Sequence, residues 1–321
     1  MEVSPVPVPG RDPRTIDAYT PTEVAQRVRT AGVEDAHRGI VQTFWLAVIG
    51  GSMLGLAAAA ATAATAGSAP GVGLTRVVGG LVFGLGLGMV MTGGGELFTS
   101  NNLIAMAWVS RQIRSMELAV NWVVVYVGNA VGAISIVLLL TIGGAYTSNS
   151  TFAGQALTAA ATKSSRAFEQ DIALGILGNT LVCLAVWVCF GARSTTDRMV
   201  ACVLPMMALY VLNVDHVVAN LHYLAAGLVL RTDRAAIAAS GLSEAALDQL
   251  TLTNMLANLA GVTIGNVIGG SVLVAAVYWF VYLRPDDAAA KATADASPRA
   301  GTGVPSEDDD PDDDGNADEP A

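Results

Sequence analysis

Charge is what this sequence lacks. Only 14% of its 321 residues are Asp, Glu, Lys or Arg, and Gly39–Thr75, Leu118–Thr162, Ile172–Ala192 and Gln249–Leu283 contain none. With 53% apolar side chains and a mean hydropathy of +0.52, an ordinary soluble domain is excluded. A hydrocarbon core about 30 Å thick needs ~20 apolar residues per helix, so each uncharged run is long enough to span it. The expected class is an all-α, multi-pass membrane protein.

Other absences narrow the reading. The three cysteines, Cys183, Cys189 and Cys202, lie in or beside apolar runs without metal-ligand spacing, and read as small buried residues. The N-terminus is polar and proline-rich without the apolar stretch of a signal peptide, so the first span is expected to direct insertion itself. No H-E-x-x-H spacing occurs, and no serine or cysteine sits beside His216 in a nucleophile motif, so an enzyme is not expected. No cofactor, metal or nucleic-acid partner is expected either.

The net charge of −10 belongs to the C-terminus. From Pro285 onward there are twelve acidic and two basic residues, and the remainder balances at fifteen of each sign. Residues 285–321 therefore read as an acidic, disordered, solvated tail. Before the first span, residues 1–38 form a separate segment. Thr20 and Glu23 make a capping box, Pro21 takes the first helical position, and Val24, Val28 and Ala31 share one side. This predicts an amphipathic helix over 21–36 at the cytoplasmic face, serving as an interfacial anchor or a gate. His37 belongs to that approach and has no specific role.

Residues 39–284 divide into six spans, roughly 40–66, 77–110, 118–145, 168–192, 199–230 and 254–284. An even number puts both termini on one side. Twelve Lys/Arg then fall on the N-terminal side and five on the other, which assigns both termini to the cytoplasm of a cell membrane. The third and sixth spans repeat at an offset of 137 residues, "NWVVVYVGNAVGA" from Asn121 matching "NLAGVTIGNVIGG" from Asn258. The second and fifth share Glu96-x4-Asn101 and Asp215-x4-Asn220. Three spans followed by three similar ones run in opposite directions, an inverted 3+3 repeat with its pathway where the halves meet.

"GGGELFTSNN" (Gly93–Asn102) and "NVDHVVANLH" (Asn213–His222) interrupt the second and fifth spans. Non-helical backbone at membrane depth survives only when buried in protein or lining a cavity, so these are expected to be breaks facing each other across a pore. His216 is the one histidine expected at the membrane centre, and an ionisable group there is a functional candidate by default. The alternative is a neutral histidine bonded within helix packing. Thr99, Ser100, Asn101, Asn102 and Asn179 supply uncharged polar groups around it, or act as helix-to-helix glue. Glu96 and Asp215 are expected to hold the breaks, partnered by hydroxyls or loop N–H groups, since carboxylates facing an anion would repel it. Lys163 and Arg166 read as surface cations outside the membrane, or as anion collectors. His222 reads as an ordinary polar helix residue.

At these residues the chain resembles the formate/nitrite transporter family. "GGGELFTSNN" is similar to its second-helix signature, "GILGNTLVCLAVW" to its fourth-helix segment, "VDHVVANLHYLAAG" to its fifth and "VTIGNVIGG" to its sixth. The resemblance implies a homopentamer of aquaporin-like protomers, each with its own pore for small monovalent anions such as formate, nitrite or hydrosulfide. It implies a central histidine at His216, a break threonine at Thr99, a nearby asparagine at Asn179 and a vestibule lysine at Lys163. It implies hydrophobic constrictions at Phe83, Leu87, Phe98, Leu209 and Val214. The chain departs from the family at Gly178, usually cysteine, at Leu209, often aromatic, and after Asn220, where a proline is missing.

A bare anion crossing an apolar constriction pays an idealised desolvation cost of tens of kcal/mol, its neutral acid only a few. The expected mechanism is therefore proton-assisted passage of a weak acid, with His216, helped by Thr99 and Asn179, stabilising the anion or supplying the proton. Acetate, lactate or hydrosulfide transport on the same fold is an alternative. So is an aquaporin-like channel for neutral solutes, although the chain has no paired Asn-Pro-Ala motif.

Overall fold

A computed structural model describes residues 18–68 and 73–285. Residues 1–17 and all of the acidic tail beyond Pro285 lie outside the described residues, so the expectation of a disordered tail is not addressed by it.

The chain starts with α1 (Pro21–His37), opened by the expected capping box: Thr20 N–H donates to Glu23 Oε2 at 2.6 Å, and Glu23 N–H to Thr20 Oγ1 at 3.4 Å. Then come α2 (Ile40–Thr65) and α3 (Gly73–Gly93), a non-helical break, a 3-10 turn (Ser100–Ile104) with α4 (Ala105–Val109), and α5 (Ser115–Ile142). A short α6 (Ala145–Ser148) leads to α7 (Ser150–Ser164), α8 (Phe168–Gly191) and α9 (Thr195–Leu212). After a second break follow α10 (Val217–Leu230), the connectors α11 (Arg234–Ser240) and α12 (Glu244–Asp248), and α13 (Leu252–Val267). The last helix continues to Leu283 through π-helical turns at Ile268–Ala276 and Trp279–Leu283.

Six of these helices, the last taken as Leu252–Leu283, are long and apolar enough to cross a membrane, and Val217–Leu230 is a shorter apolar helix. The chain is thus an all-helical membrane protein, and the second and fifth spans are broken as expected. The second break is shorter than the sequence suggests. It ends at His216, and Val217–His222 already belong to α10, because His216 caps that helix and lets it begin at once.

The repeat extends beyond the spans. Helix α1 packs on the 3-10 turn beyond the first break, and α7 packs on α10 beyond the second. The unit α1, α2, α3–break–α4, α5 is therefore echoed by α7, α8, α9–break–α10, α13. Ala/Thr/Ser-rich α7, with the connectors α11 and α12, had no clear signal in the sequence. The buried stripe of α1, including Val24, Val28 and Ala31, faces protein: a side chain added at Gly32 would touch Ile104 and Ala107.

Leu54, Phe83, Leu87, Met106 and Met206 are fully buried in the main core, and a second core of Phe152, Leu157, Leu224 and Met255 sits under α7 and α10. Val123, Val127, Val131 and Leu138, by contrast, are exposed on one side of α5. That polarity, apolar both inside and out, is what a bilayer environment requires.

Candidate functional site: two helix breaks joined at a histidine

Each break begins with a residue in the left-handed region, Gly94 at φ +79° and Asn213 at φ +54°. Glycine and, among the others, asparagine tolerate that turn best. Each is then tied to the neighbouring span by one backbone bond, Glu96 N–H to Leu46 C=O of α2 at 3.1 Å and Asp215 N–H to Leu174 C=O of α8 at 3.2 Å.

The repeated asparagines take up the peptide groups the breaks set free. Asn129 Nδ2 donates to the carbonyls of Ala47 and Glu96, both at 2.8 Å, while its Oδ1 accepts from Phe98 N–H at 2.8 Å. Asn266 does the same at the other break. Its Nδ2 donates to Gly175 C=O at 2.8 Å and Asp215 C=O at 3.2 Å, and its Oδ1 accepts from Val217 N–H at 2.9 Å. A buried peptide group left unpaired costs about 1–3 kcal/mol, so one amide per break stabilises backbone that lipid could not solvate. Gly50 and Gly178 let the helices approach; a methyl at either would overlap the carbonyl of Glu96 or Asp215.

The break carboxylates are held by cations rather than by hydroxyls or loop N–H groups. Glu96 is ion-paired with Arg38 and accepts from Asn101 Nδ2 at 2.9 Å. Asp215, fully buried, is paired with Lys163 at 2.5 Å and with Arg166. Lys163 and Arg166 are thus not free surface cations: Lys163 is 8% exposed and the Arg166 side chain 11%. Asn101 donates to Asn121 Oδ1 at 3.0 Å and Asn220 to Asn258 Oδ1 at 2.9 Å. The side-chain amides of these two asparagines brace their own breaks and make no hydrogen bond to the His216 ring; Asn220 meets His216 only through its backbone N–H, which donates to His216 C=O at 2.9 Å.

Thr99 and His216 do meet. Thr99 Oγ1 lies 3.0 Å from His216 Nε2, and both residues are buried. His216 is the N-cap of α10, its Nδ1 accepting from Ala219 N–H at 3.4 Å. An accepting Nδ1 carries no proton, so these partners assign the neutral ring's proton to Nε2, which donates to Thr99. The hydroxyl proton of Thr99 is then free for a third partner. Asn179 Nδ2 donates to Thr99 C=O at 3.2 Å and Asn266 C=O at 2.7 Å. Those bonds fix the amide's orientation and leave Asn179 Oδ1 buried without a hydrogen-bond partner among the described residues.

A cavity adjoins each break. "Inner" denotes the side where α1 packs beside the end of α13, "outer" the other. The outer cavity, about 300 Å³, is lined by Phe83, Lys163, Leu209, Val214, His216 and Asn220 among others. The inner one, about 100 Å³, is lined by Asp35, Glu96, Ser100, Leu103, Val186 and Arg198 among others. Among the described residues none lines both. Of the five apolar residues singled out as constrictions, Phe83, Leu209 and Val214 face the outer cavity. Leu87 is buried off both, and Phe98 turns its ring to Trp122 and Tyr126 at centroid distances of 6.2 and 5.2 Å. His222 is buried within α10 and lines neither cavity.

Sequence reasoning missed Leu97. It holds in the inner break the position that His216 holds in the outer one and is fully buried. Setting Glu96-x4-Asn101 on Asp215-x4-Asn220 pairs Leu97 with His216 and would have found it. It also missed Cys183, whose thiol lies 3.4 Å from Thr99 C=O.

The sequence model of the family described as formate/nitrite transporter matches residues 22–280. The formate channel FocA of Escherichia coli (strain K12) is 37% identical over 276 residues, covering 84% of this chain and 97% of that protein. A solved structure described as a pentameric formate channel with formate bound superposes with a TM-score of 0.68 at 33% identity, covering 76% of this chain and 98% of that one. A second, described as an FNT family ion channel, has a TM-score of 0.70 at 22% identity, covers 81% of this chain and 99% of that one, and supports the fold alone.

Proposed function

The chain belongs to the formate/nitrite transporter family, and from that premise we propose that it conducts small monovalent anions of weak acids, formate or nitrite foremost, through a pore in each protomer of a homopentamer. The family is one of membrane transporters rather than enzymes. The pentamer reading draws on the pentameric formate channel of similar structure. The cytoplasmic placement of both termini draws on the twelve-to-five distribution of Lys and Arg.

The observation that carries the reading is the Thr99–His216 contact, which joins the two breaks where His216 lines the outer cavity. An anion drawn into the outer cavity by Lys163 reaches apolar Phe83, Leu209 and Val214 and sheds water there. Uncharged polar residues line the same cavity, Tyr210, Asn220 and Tyr223 among them, and Thr99 O–H, backed by His216 Nε2–H, adjoins His216 in its wall. A bare anion at that point is costly, whereas its neutral acid is cheap to desolvate. His216 and Thr99 therefore hold the anion while it gains a proton, and the acid crosses past Leu97 to the inner cavity. Asn179 Oδ1, an unused acceptor, suits the acid's O–H and not the anion.

Purified protein in vesicles, tested for uptake of labelled formate with pH set separately on each side, checks this. Flux is expected to rise as the pH on the loading side falls. Glycerol-driven swelling without formate uptake would instead establish a neutral-solute channel.

A further inference from the structure

The two breaks are framed alike, yet the charged residues beside them are inverted. Asn121 Nδ2 donates to Asp35 C=O at 3.1 Å, as Asn258 Nδ2 does to Lys163 C=O at 3.3 Å. Asp35 and Lys163 are therefore mates in the repeat, one anionic and one cationic. Arg38 and Arg166 are mates as well, each paired with the carboxylate of its own break. The inner cluster sets one cation, Arg38, between two carboxylates, Asp35 at 2.6 Å and Glu96. The outer cluster sets one carboxylate, Asp215, between two cations.

The cavity walls differ in the same sense. The outer cavity is lined by Arg76 and Lys163 and, among the described residues, by no carboxylate. The inner cavity, a third of the volume, is lined by Asp35 and Glu96 together with Arg27 and Arg198. Asp171, which accepts from Asn258 at 2.7 Å, is buried and lines neither.

We propose that Asp35 makes the pore asymmetric toward its anion by weakening capture from the inner cavity, so that the outer face is the high-affinity one. The inference rests on the anion-channel reading above. Charge in a cleft with low-dielectric walls acts on the local anion concentration more strongly than it would in water. A passive pore cannot alter the equilibrium distribution of its solute. The asymmetry therefore shows in the half-saturating concentration and initial rate at each face.

The test uses the full chain in vesicles, with insertion orientation scored by a C-terminal tag and initial rates of labelled formate flux measured from one face at a time. The half-saturating formate concentration is expected to be higher from the inner face. Asp35→Asn is expected to lower the inner value by roughly threefold to tenfold and to leave the outer value within about twofold. Asp35→Lys should act further in the same direction, and Asp35→Glu, which keeps the charge, should retain the high inner value. Equal half-saturation at the two faces of the unmodified protein overturns the proposal while leaving anion transport standing. So does an inner value that Asp35→Asn does not move. Absence of formate flux from either face overturns the transport reading, and this inference with it.

Discussion

Thr99 and His216 belong to opposite halves of an inverted repeat, yet Thr99 Oγ1 and His216 Nε2 lie 3.0 Å apart. The N-cap of α10 and the last residue before the 3-10 turn are thereby joined at the meeting point of the halves. The hydroxyl passes the ring's donor capacity toward a permeant without bringing a net charge into the membrane.

That relation predicts a split between two substitutions at Thr99. Thr99→Ser keeps the hydroxyl and should retain most formate flux. Thr99→Val keeps the shape and should reduce it about tenfold or more, the equivalent of one charge-assisted hydrogen bond. Initial rates in vesicles check this, and equal rates for the two variants would remove Thr99 from the path.

At His216, His216→Phe is expected to change the pH dependence of formate or nitrite flux, since the one imidazole that lines either cavity among the described residues is lost. Flux measured from pH 5 to 8 decides the matter. A curve that keeps its shape would limit His216 to capping α10.

The asparagines that hold the breaks should matter equally. Asn129→Leu and Asn266→Leu each leave two buried break groups unpaired, Glu96 C=O and Phe98 N–H or Asp215 C=O and Val217 N–H. Each should destabilise the protein by about 2–5 kcal/mol, read as a lower unfolding temperature in detergent. A normal unfolding temperature in both variants would show that water, not the asparagine, satisfies the breaks.

Close approach is testable at glycines. Gly50→Ala and Gly178→Ala place a methyl on the carbonyl of Glu96 or Asp215, whereas Gly39→Ala meets nothing within 4 Å. The first two should lose folded protein on size exclusion, and the third should not. Wild-type behaviour of Gly178→Ala would mean that the outer break can slide.

Asp35 also carries a pH dependence of definite sign. Burial pushes its carboxyl above the usual carboxylate range, Arg38 opposes this, and Glu34 adds to it. With Glu96 across the same cavity, Asp35 should gain a proton at a higher pH than an exposed aspartate. Its repulsion of anions then disappears on acidifying the inner side, and inner-face capture strengthens as pH falls. Asp35→Asn should flatten that part of the profile. An equally steep profile in that variant would assign the effect to another group.

Much of this was legible in the sequence because the bilayer imposes a one-dimensional rule. Runs without charge mark the spans, and "GGGELFTSNN" stands out from its neighbours as residues that lipid would not tolerate. The N-x6-G-N-x-x-G repeat pointed at Asn129 and Asn266 before their role was visible, since a repeated frame needs the same amide twice. Helix α7 was hidden because its Ala, Thr and Ser residues show no strong periodicity. The pairing of Lys163 with Asp215 was hidden because the two stand 52 positions apart.

The sequence by itself determined that the chain crosses the membrane six times, that its halves oppose each other, and that two crossings are interrupted. Those properties follow from local composition and from repetition, which solvation physics reads segment by segment. Only the tertiary structure decided which polar residues meet. It put Thr99 on His216, sent Asn101 and Asn220 to brace the breaks, turned Phe98 away from the cavities, and set Asp35 opposite Lys163 in the repeat. Contacts of that kind depend on the packing of helices distant in sequence, where a buried donor or charge takes the partner that geometry brings within about 3 Å.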